Sequence, residues 1–369
     1  MAVELHGLFV QNNSYDYEDY VYKDEDHPSN CTCGFMRVFI PLVYSLALLF
    51  GLLGNGLVLV TLWRKRQNFS VMDVFILHLG VVDVVLMVTL PFWAVDAVKG
   101  WIIGTGLCKL TGALFKINLH CGIFMLALIG LESYLSIVRG IQMFSRKNPL
   151  VIHLTCLIIW IISLLLSTPD WMYLKVTEDP GNQQITFCDH IYPSDYLHVA
   201  IRLLLVVVGV ILPALVLLVC CSCILLYMQN KSRDPQMKKV RRTRVFGVVV
   251  LAFLISWTPY NIAFIVDTLS AVTASKLCYG KLRTASGATG IFGLLHCVIK
   301  PVIYFGLAKE FRHRAVDIVT FRAYETDSSD VSLWDSGEVG GSVQPEEQSS
   351  LRPMSNDIYQ TTKTQDENI

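Results

Sequence analysis

Charge is scarce in this chain. Aspartate, glutamate, lysine and arginine make up 16% of its 369 residues, where a soluble domain carries about 25%. The shortfall collects in long apolar runs, and 53% of all residues are hydrophobic. That excludes an ordinary water-soluble domain and points to a chain dissolved in lipid. The 30 basic residues balance 30 acidic ones, so net charge names no partner, and nucleic acid is not expected.

Other features are missing too. The first ten residues, MAVELHGLFV, lack the basic start and long apolar stretch of a cleavable signal peptide. The first apolar run is therefore expected to act as the targeting signal. No internal repeat and no pair of matching broken helices stands out, which disfavours a transporter. His78, His120, His153 and His296 are scattered singly in apolar runs, with no partner at nucleophile or metal spacing. No catalytic residue, cofactor or metal ion is expected, and the enzyme class is set aside. No cysteine follows Cys297, which excludes a palmitoyl anchor beyond the last run.

What is present is a series of seven apolar runs, roughly 37–63, 71–96, 105–138, 149–169, 195–228, 238–269 and 284–307. Each meets the length of about 20 residues that a membrane span needs. The fold class is therefore an all-α membrane protein, a seven-transmembrane helix bundle over 37–307. A short amphipathic eighth helix at 308–319 is expected to lie on the bilayer. Phe311, Ala315, Ile318 and Val319 would form one face of it, and Lys309, Arg312 and Arg314 the other. Basic residues cluster on one side: Arg64, Lys65 and Arg66, then Arg139, Arg146 and Lys147, then seven lysines and arginines between Lys231 and Arg244. Positive loops stay inside, so the N-terminus faces out and the C-terminus lies in the cytoplasm of a plasma-membrane protein.

Residues 1–36 form an acidic outer tail with seven carboxylates between Glu4 and Asp26, against Lys23 alone among lysines. Its sequons place Asn12 and Asn30 as glycosylation acceptors. Residues 320–369 are rich in serine, threonine and acidic residues and poor in apolar ones, so they read as a disordered cytoplasmic tail. Of the eleven cysteines, Cys31, Cys33, Cys108, Cys188 and Cys278 fall in or beside polar segments. The other six lie in apolar runs, where a thiol packs as a small hydrophobe.

Local signatures then narrow the class. Gly54-Asn55-Gly56-Leu57-Val58, Leu77-His78-Leu79-Gly80-Val81-Val82-Asp83, Trp160, Pro213, Ser256-Trp257-Thr258-Pro259-Tyr260-Asn261 and Pro301-Val302-Ile303-Tyr304 fall in successive runs. Singly each is weak; in this order the set resembles the rhodopsin-like class of G-protein-coupled receptors. Thr89-Leu90-Pro91-Phe92-Trp93-Ala94, Gly100-Trp101 and Gly106-Leu107-Cys108-Lys109 resemble a chemokine receptor more narrowly, most like CXC receptors for interferon-induced chemokines.

The resemblance implies a disulfide between Cys108 and Cys188, and a second from Cys278 to Cys33 or Cys31. It implies a CXC chemokine as ligand. A basic chemokine would be steered by the acidic context of Tyr15, Tyr17, Tyr20 and Tyr22, tyrosines that such a tail carries sulfated. A second subsite, also by resemblance, comprises Trp93, Asp96, Phe115, Asp170, Tyr260 and Asp267, with Trp257 as the switch below. Carboxylates near the ends of spans mark wet or paired cavities, and Asp96, Asp170 and Asp267 are expected to receive the basic N-terminus of the ligand.

Three departures from the family lie along the signalling route. Glu132-Ser133-Tyr134 stands where the family has Asp-Arg-Tyr, and serine cannot reach what the planar arginine fork contacts. Lys300-Pro301-Val302-Ile303-Tyr304 stands where the family has Asn-Pro-x-x-Tyr. A buried lysine needs an anion, and Asp83, a sodium ligand in the family together with that asparagine, is expected to be its partner. Gly122 and His296 replace further polar ligands, while Asn118 is kept. Cys221 stands in place of a tyrosine that meets Tyr304 in the active state, and it hydrogen-bonds only weakly. Together these predict weak or absent G-protein coupling. Thr326, Ser328, Ser329, Ser332 and Ser336 in the acidic tail would, once phosphorylated by receptor kinases, suit the basic groove of an arrestin. The expectation is a decoy that binds and internalises chemokine. The rivals are a conventional receptor that drives chemotaxis through an inhibitory G protein and, remotely, an opsin; Leu294 stands where an opsin has its retinal lysine.

Overall fold

The computed structural model describes residues 30–66, 69–144, 149–178, 185–230, 237–272, 279–321 and 333–334. Among them, seven helical runs are long and apolar enough to cross a membrane, and they are the seven read from the sequence. The first span is α1 (Asn30–Arg64), the second α2 (Val71–Met87) with α3 (Leu90–Lys99), and the third α4 (Thr105–Tyr134). The fourth comprises α5 (Pro149–Leu166) and α6 (Thr168–Tyr173). The fifth comprises α7 (Asp195–Val206) and α8 (Leu212–Asn230), the sixth is α9 (Met237–Val272), and the seventh is α10 (Tyr279–Leu307). Helix α11 (Lys309–Val319) follows. The first helix begins seven residues before its apolar run does.

Breaks within spans have local causes. Pro91 has no N–H to give and its ring crowds the preceding turn. The second span therefore opens at Val88–Thr89, where the Thr89 hydroxyl donates to the Leu86 carbonyl at 2.7 Å. Pro213 does the same in the fifth span, which loosens into a π turn over Val207–Ile211. Gly209 in that turn lets His120 approach: a Cβ there would stand 2.6 Å from the imidazole Nε2. The third span ends in a second π turn, Leu135–Arg139, closed by Gly140 at φ 70°. Ser70 and Asp73 cap the start of α2 reciprocally, which satisfies two of its orphan donors.

Between the fourth and fifth spans, β1 (Leu174–Glu178) and β2 (Thr186–His190) form an antiparallel hairpin with Val176 opposite Cys188. This is the hairpin end of the bundle; the other, marked by Lys65, Arg66, Arg139 and Arg244, is the basic end. The core runs between them through Leu79, Leu126, Phe246, Phe253, Trp257 and Tyr304. Leu53, Leu165, Leu226, Leu251 and Val302 point outward from it, an apolar belt suited to acyl chains rather than water.

In α11, Phe311 and Ala315 pack against the bundle, whereas Val319 is 63% exposed, as an apolar residue meant for the bilayer surface would be. The helix starts at Lys309, after an extended Ala308. One expectation needs correction: in the tail expected to be without fixed structure, Leu333 and Trp334 are fully buried against the bundle. Tyr15, Tyr17, Tyr20, Tyr22, Asn12, Cys278, Thr326, Ser328, Ser329, Ser332 and Ser336 lie outside the described residues, as do the side chains of Asn30 and Cys33.

Candidate functional site

At the hairpin end, a disulfide joins Cys108 at the top of α4 to Cys188 in β2. It ties the hairpin over the bundle, and Trp101 fixes the second corner. The Trp101 indole N–H donates to the Gly104 carbonyl at 2.9 Å, and its backbone N–H donates to the Thr186 carbonyl at 2.7 Å. Gly100 is required beside it, at φ 76° and with the Thr186 carbonyl 2.6 Å from where a Cβ would be.

Beneath the hairpin lies an aromatic column. Trp93 meets Trp101 edge-on at 5.6 Å, and Phe115 contacts Trp257 at 5.2 Å and Tyr260 at 5.1 Å. Trp257 in turn reaches Phe253 and His296. The structure thus brings Trp93, Phe115, Tyr260 and Trp257 together as one stack. Edge-to-face pairs of this kind add about 0.5–1.5 kcal/mol each beyond their buried area.

The three carboxylates are not equivalent. Asp96 is half-buried on α3. Asp170 is buried, and its Oδ1 lies 2.9 Å from His190 Nε2 of the hairpin. Asp267 is paired with Arg202 of α7. The sequence reading offered all three to a ligand, and the fold already engages two of them with its own basic groups. For Asp170 the reason is desolvation: a buried carboxylate without a counter-charge is too costly to keep. Tyr192 stacks on His198 at 4.5 Å and on His190 at 5.8 Å, forming the rim. Burial pushes the Tyr192 hydroxyl above its ordinary pKa.

The sequence alone does not single out Lys116, Arg202 and His190 as site residues. Lys116 Nζ donates to the Tyr260 hydroxyl at 2.8 Å and sits 4.0 Å over the Phe264 ring. The Arg202 guanidinium also lies over the Phe264 ring, at 4.7 Å. Both are cations inside apolar runs, and the rule that flags intramembrane charge as functional would have found them.

Midway down, Lys300 Nζ is 2.6 Å from Asp83 Oδ2, with both side chains almost wholly buried. The contact is a buried ion pair. Asn118 Nδ2 donates to Asp83 Oδ1 at 3.0 Å, and the Cys297 thiol donates to the same oxygen at 3.4 Å. His296 gives its Nδ1 proton to the Gly293 carbonyl at 2.6 Å and turns Nε2 toward Asp83 at 3.6 Å. His296 is therefore not isolated, as the sequence suggested: ligand atoms of Asp83, His296 and Cys297 lie within 4.8 Å of one another. The Lys300 ammonium already supplies this cluster with its positive charge. Gly122 serves packing here, since a Cβ would stand 2.8 Å from the Phe253 ring.

At the basic end, Ser133 and Tyr134 close α4. Glu132 has not been left unpartnered by the loss of an arginine neighbour: its Oε2 accepts the Met143 backbone N–H at 3.2 Å. The Tyr134 hydroxyl accepts from Arg139 Nε at 3.3 Å. Cys221 is half-buried and packed on the core. Tyr304 meets Phe311 and Trp334 instead of it.

Fold and site together define a seven-span receptor with a disulfide-tied lid, an aromatic column and a charged midplane. Residues 54–304 match the family described as 7 transmembrane receptor (rhodopsin family). The chain is similar to C-X-C chemokine receptor type 3 of Bos taurus, 39% identical over 315 residues, which covers 84% of this chain and 85% of that one. For the Homo sapiens type 3 receptor the figures are 38% over 310 residues, 82% and 83%. For C-X-C chemokine receptor type 4-B of Xenopus laevis they are 33% over 320 residues, 85% and 87%. The chain belongs to the rhodopsin family of seven-transmembrane receptors and, within it, to the CXC chemokine receptors. It is a multi-pass protein of the plasma membrane and not an enzyme.

Proposed function

We propose that this receptor faces the outside with its hairpin end, binds a CXC chemokine there and carries it into the cell with little activation of a G protein. The disulfide supports the orientation, because such bonds persist in oxidising surroundings, and so do the basic residues at the other end. The acidic tail with Tyr15, Tyr17, Tyr20 and Tyr22 captures the basic body of the ligand. Its N-terminus then enters the cavity of Trp93, Asp96, Phe115, Asp170, Tyr260 and Asp267, and exchanges with Arg202 and His190 for their carboxylates. Phosphorylated by receptor kinases, the C-terminal tail recruits arrestin.

One observation carries the decoy reading. The buried Lys300–Asp83 pair fills the midplane chamber, while Ser133 offers no guanidinium at the basic end. Movement of the second span against the seventh would have to break this buried ion pair, and separating buried charges is costly. The test measures G-protein activation and chemokine uptake in the same cells. Uptake without activation is the expected result; chemokine-evoked release of calcium or a fall in cyclic AMP would instead establish a conventional receptor acting through an inhibitory G protein.

A further inference from the structure

We propose that the basic end of the bundle is a docking site for the receptor's own tail, and that Leu333 and Trp334 close it against any cytosolic helix or loop. The proposal rests on the orientation given above and not on the decoy reading. Four contacts argue for a built site. The Trp334 indole N–H donates to Asp73 Oδ1 at 2.7 Å, and both residues are fully buried. The same carboxylate is held from its other side, where Oδ2 accepts the Ser70 N–H at 2.6 Å and Lys65 Nζ at 2.9 Å. Asp73 is thus oriented before the indole arrives, and a charge-assisted bond to a carboxylate is among the stronger kinds.

The ring itself stacks on Phe311, at 5.8 Å and 17° between planes, and meets Tyr304 edge-on at 5.0 Å. Helix α11 has no side-chain cap at its start, so its first N–H groups need partners from elsewhere. The Leu333 carbonyl supplies one, accepting from the Phe311 N–H at 3.3 Å. Two consecutive tail residues therefore satisfy a helix start, a carboxylate and an aromatic platform together.

The position explains the consequence. Trp334 borders a narrow cavity whose walls include Leu126, Ile129, Phe246 and Val249. These residues come from the third and sixth spans, and Tyr304 comes from the seventh. A transducer segment that enters between these spans must displace the indole first. The tail and the transducer compete for one site.

The full-length receptor in inside-out membranes tests this without any chemokine or G protein. Trp334 is replaced by p-benzoylphenylalanine and irradiated, and the adduct is mapped by mass spectrometry. Adducts on peptides holding Met72–Ile76 or Tyr304–Phe311 are expected; adducts found only on lipid or other proteins would overturn the proposal. In a second arm, Val249→Cys reports access to the cavity by its rate of alkylation. That rate rises severalfold when Trp334→Ala is added and less with Trp334→Phe, which keeps the ring and loses the N–H. Equal rates in all three backgrounds would also overturn it. Either failure leaves the decoy reading untouched, since neither arm reads G-protein activity.

Discussion

Lys300 and Asp83 face each other across 2.6 Å at the midplane, with no more than 2% of either side chain exposed. The pair is the most demanding charge arrangement in the described residues, and it gives the first prediction. Removal of one partner from a buried ion pair costs about 3–5 kcal/mol, because the other is left uncompensated. Lys300→Met and Asp83→Asn should each lower the melting temperature of the purified receptor sharply. The double variant should recover much of the loss. Additive losses in the double variant would show that the two charges do not depend on each other.

A second expectation follows from the same chamber. Because an ammonium already neutralises Asp83, sodium has no charge left to satisfy. Ligand affinity and thermal stability in sodium chloride should match those in choline chloride at equal ionic strength. Lys300→Asn removes the resident cation and should introduce a sodium dependence, though a modest one, since Gly122 and His296 offer no oxygen. A sodium effect in the unaltered receptor would contradict the pair's role.

How much of this was legible in the sequence depends on which force decides each feature. The spans were readable because apolar length alone fixes them, and Lys300 with Asp83 because a buried cation must find an anion. The engagement of Asp170 by His190 and of Asp267 by Arg202 was not. Both partners come from distant positions that only the folded hairpin and α7 bring near. Lys116 is legible only as a charge within an apolar run; its partners Tyr260 and Phe264 lie more than 140 residues away and come near only in the folded bundle. Trp334 was hidden by composition: its surroundings read as polar tail, and a single indole among serines changes no average.

The disulfide between Cys108 and Cys188 carries the hairpin over the aromatic column. Closing a loop with 80 residues of separation stabilises by about 2–4 kcal/mol. Cys188→Ser should therefore cost stability of that order and also loosen Val176 and Leu174 from the mouth. Chemokine binding at the cell surface should fall more than surface expression does. Parallel losses of the two would mean that the bond serves folding alone.

The Arg202–Asp267 pair offers a sharper test of the outer cavity. Arg202 occupies the carboxylate that a basic ligand terminus would take, so Arg202→Ala should raise affinity for chemokine. Asp267→Asn should lower it, and the Arg202→Ala change should then have little further effect. A coupling of about 0.5–3 kcal/mol is the range for residues in direct contact. Independent effects on binding would place the ligand's basic end elsewhere, at Asp96 or Asp170.

The final prediction concerns the basic end. Ser133→Arg restores a fork able to reach a transducer, and Lys300→Asn relieves the midplane of its locked pair. Each alone should restore little, because the first leaves the helices held and the second leaves no guanidinium to meet the incoming helix. Together they should yield chemokine-evoked nucleotide exchange on an inhibitory G protein. Adding Trp334→Ala should raise the signal again if the tail competes for the same space. Expression and uptake of each variant must be measured alongside, since Lys300→Asn also exposes Asp83 to the cost argued above. Exchange in the unaltered receptor that equals the combined variant's would mean that neither the missing arginine nor the buried lysine limits coupling.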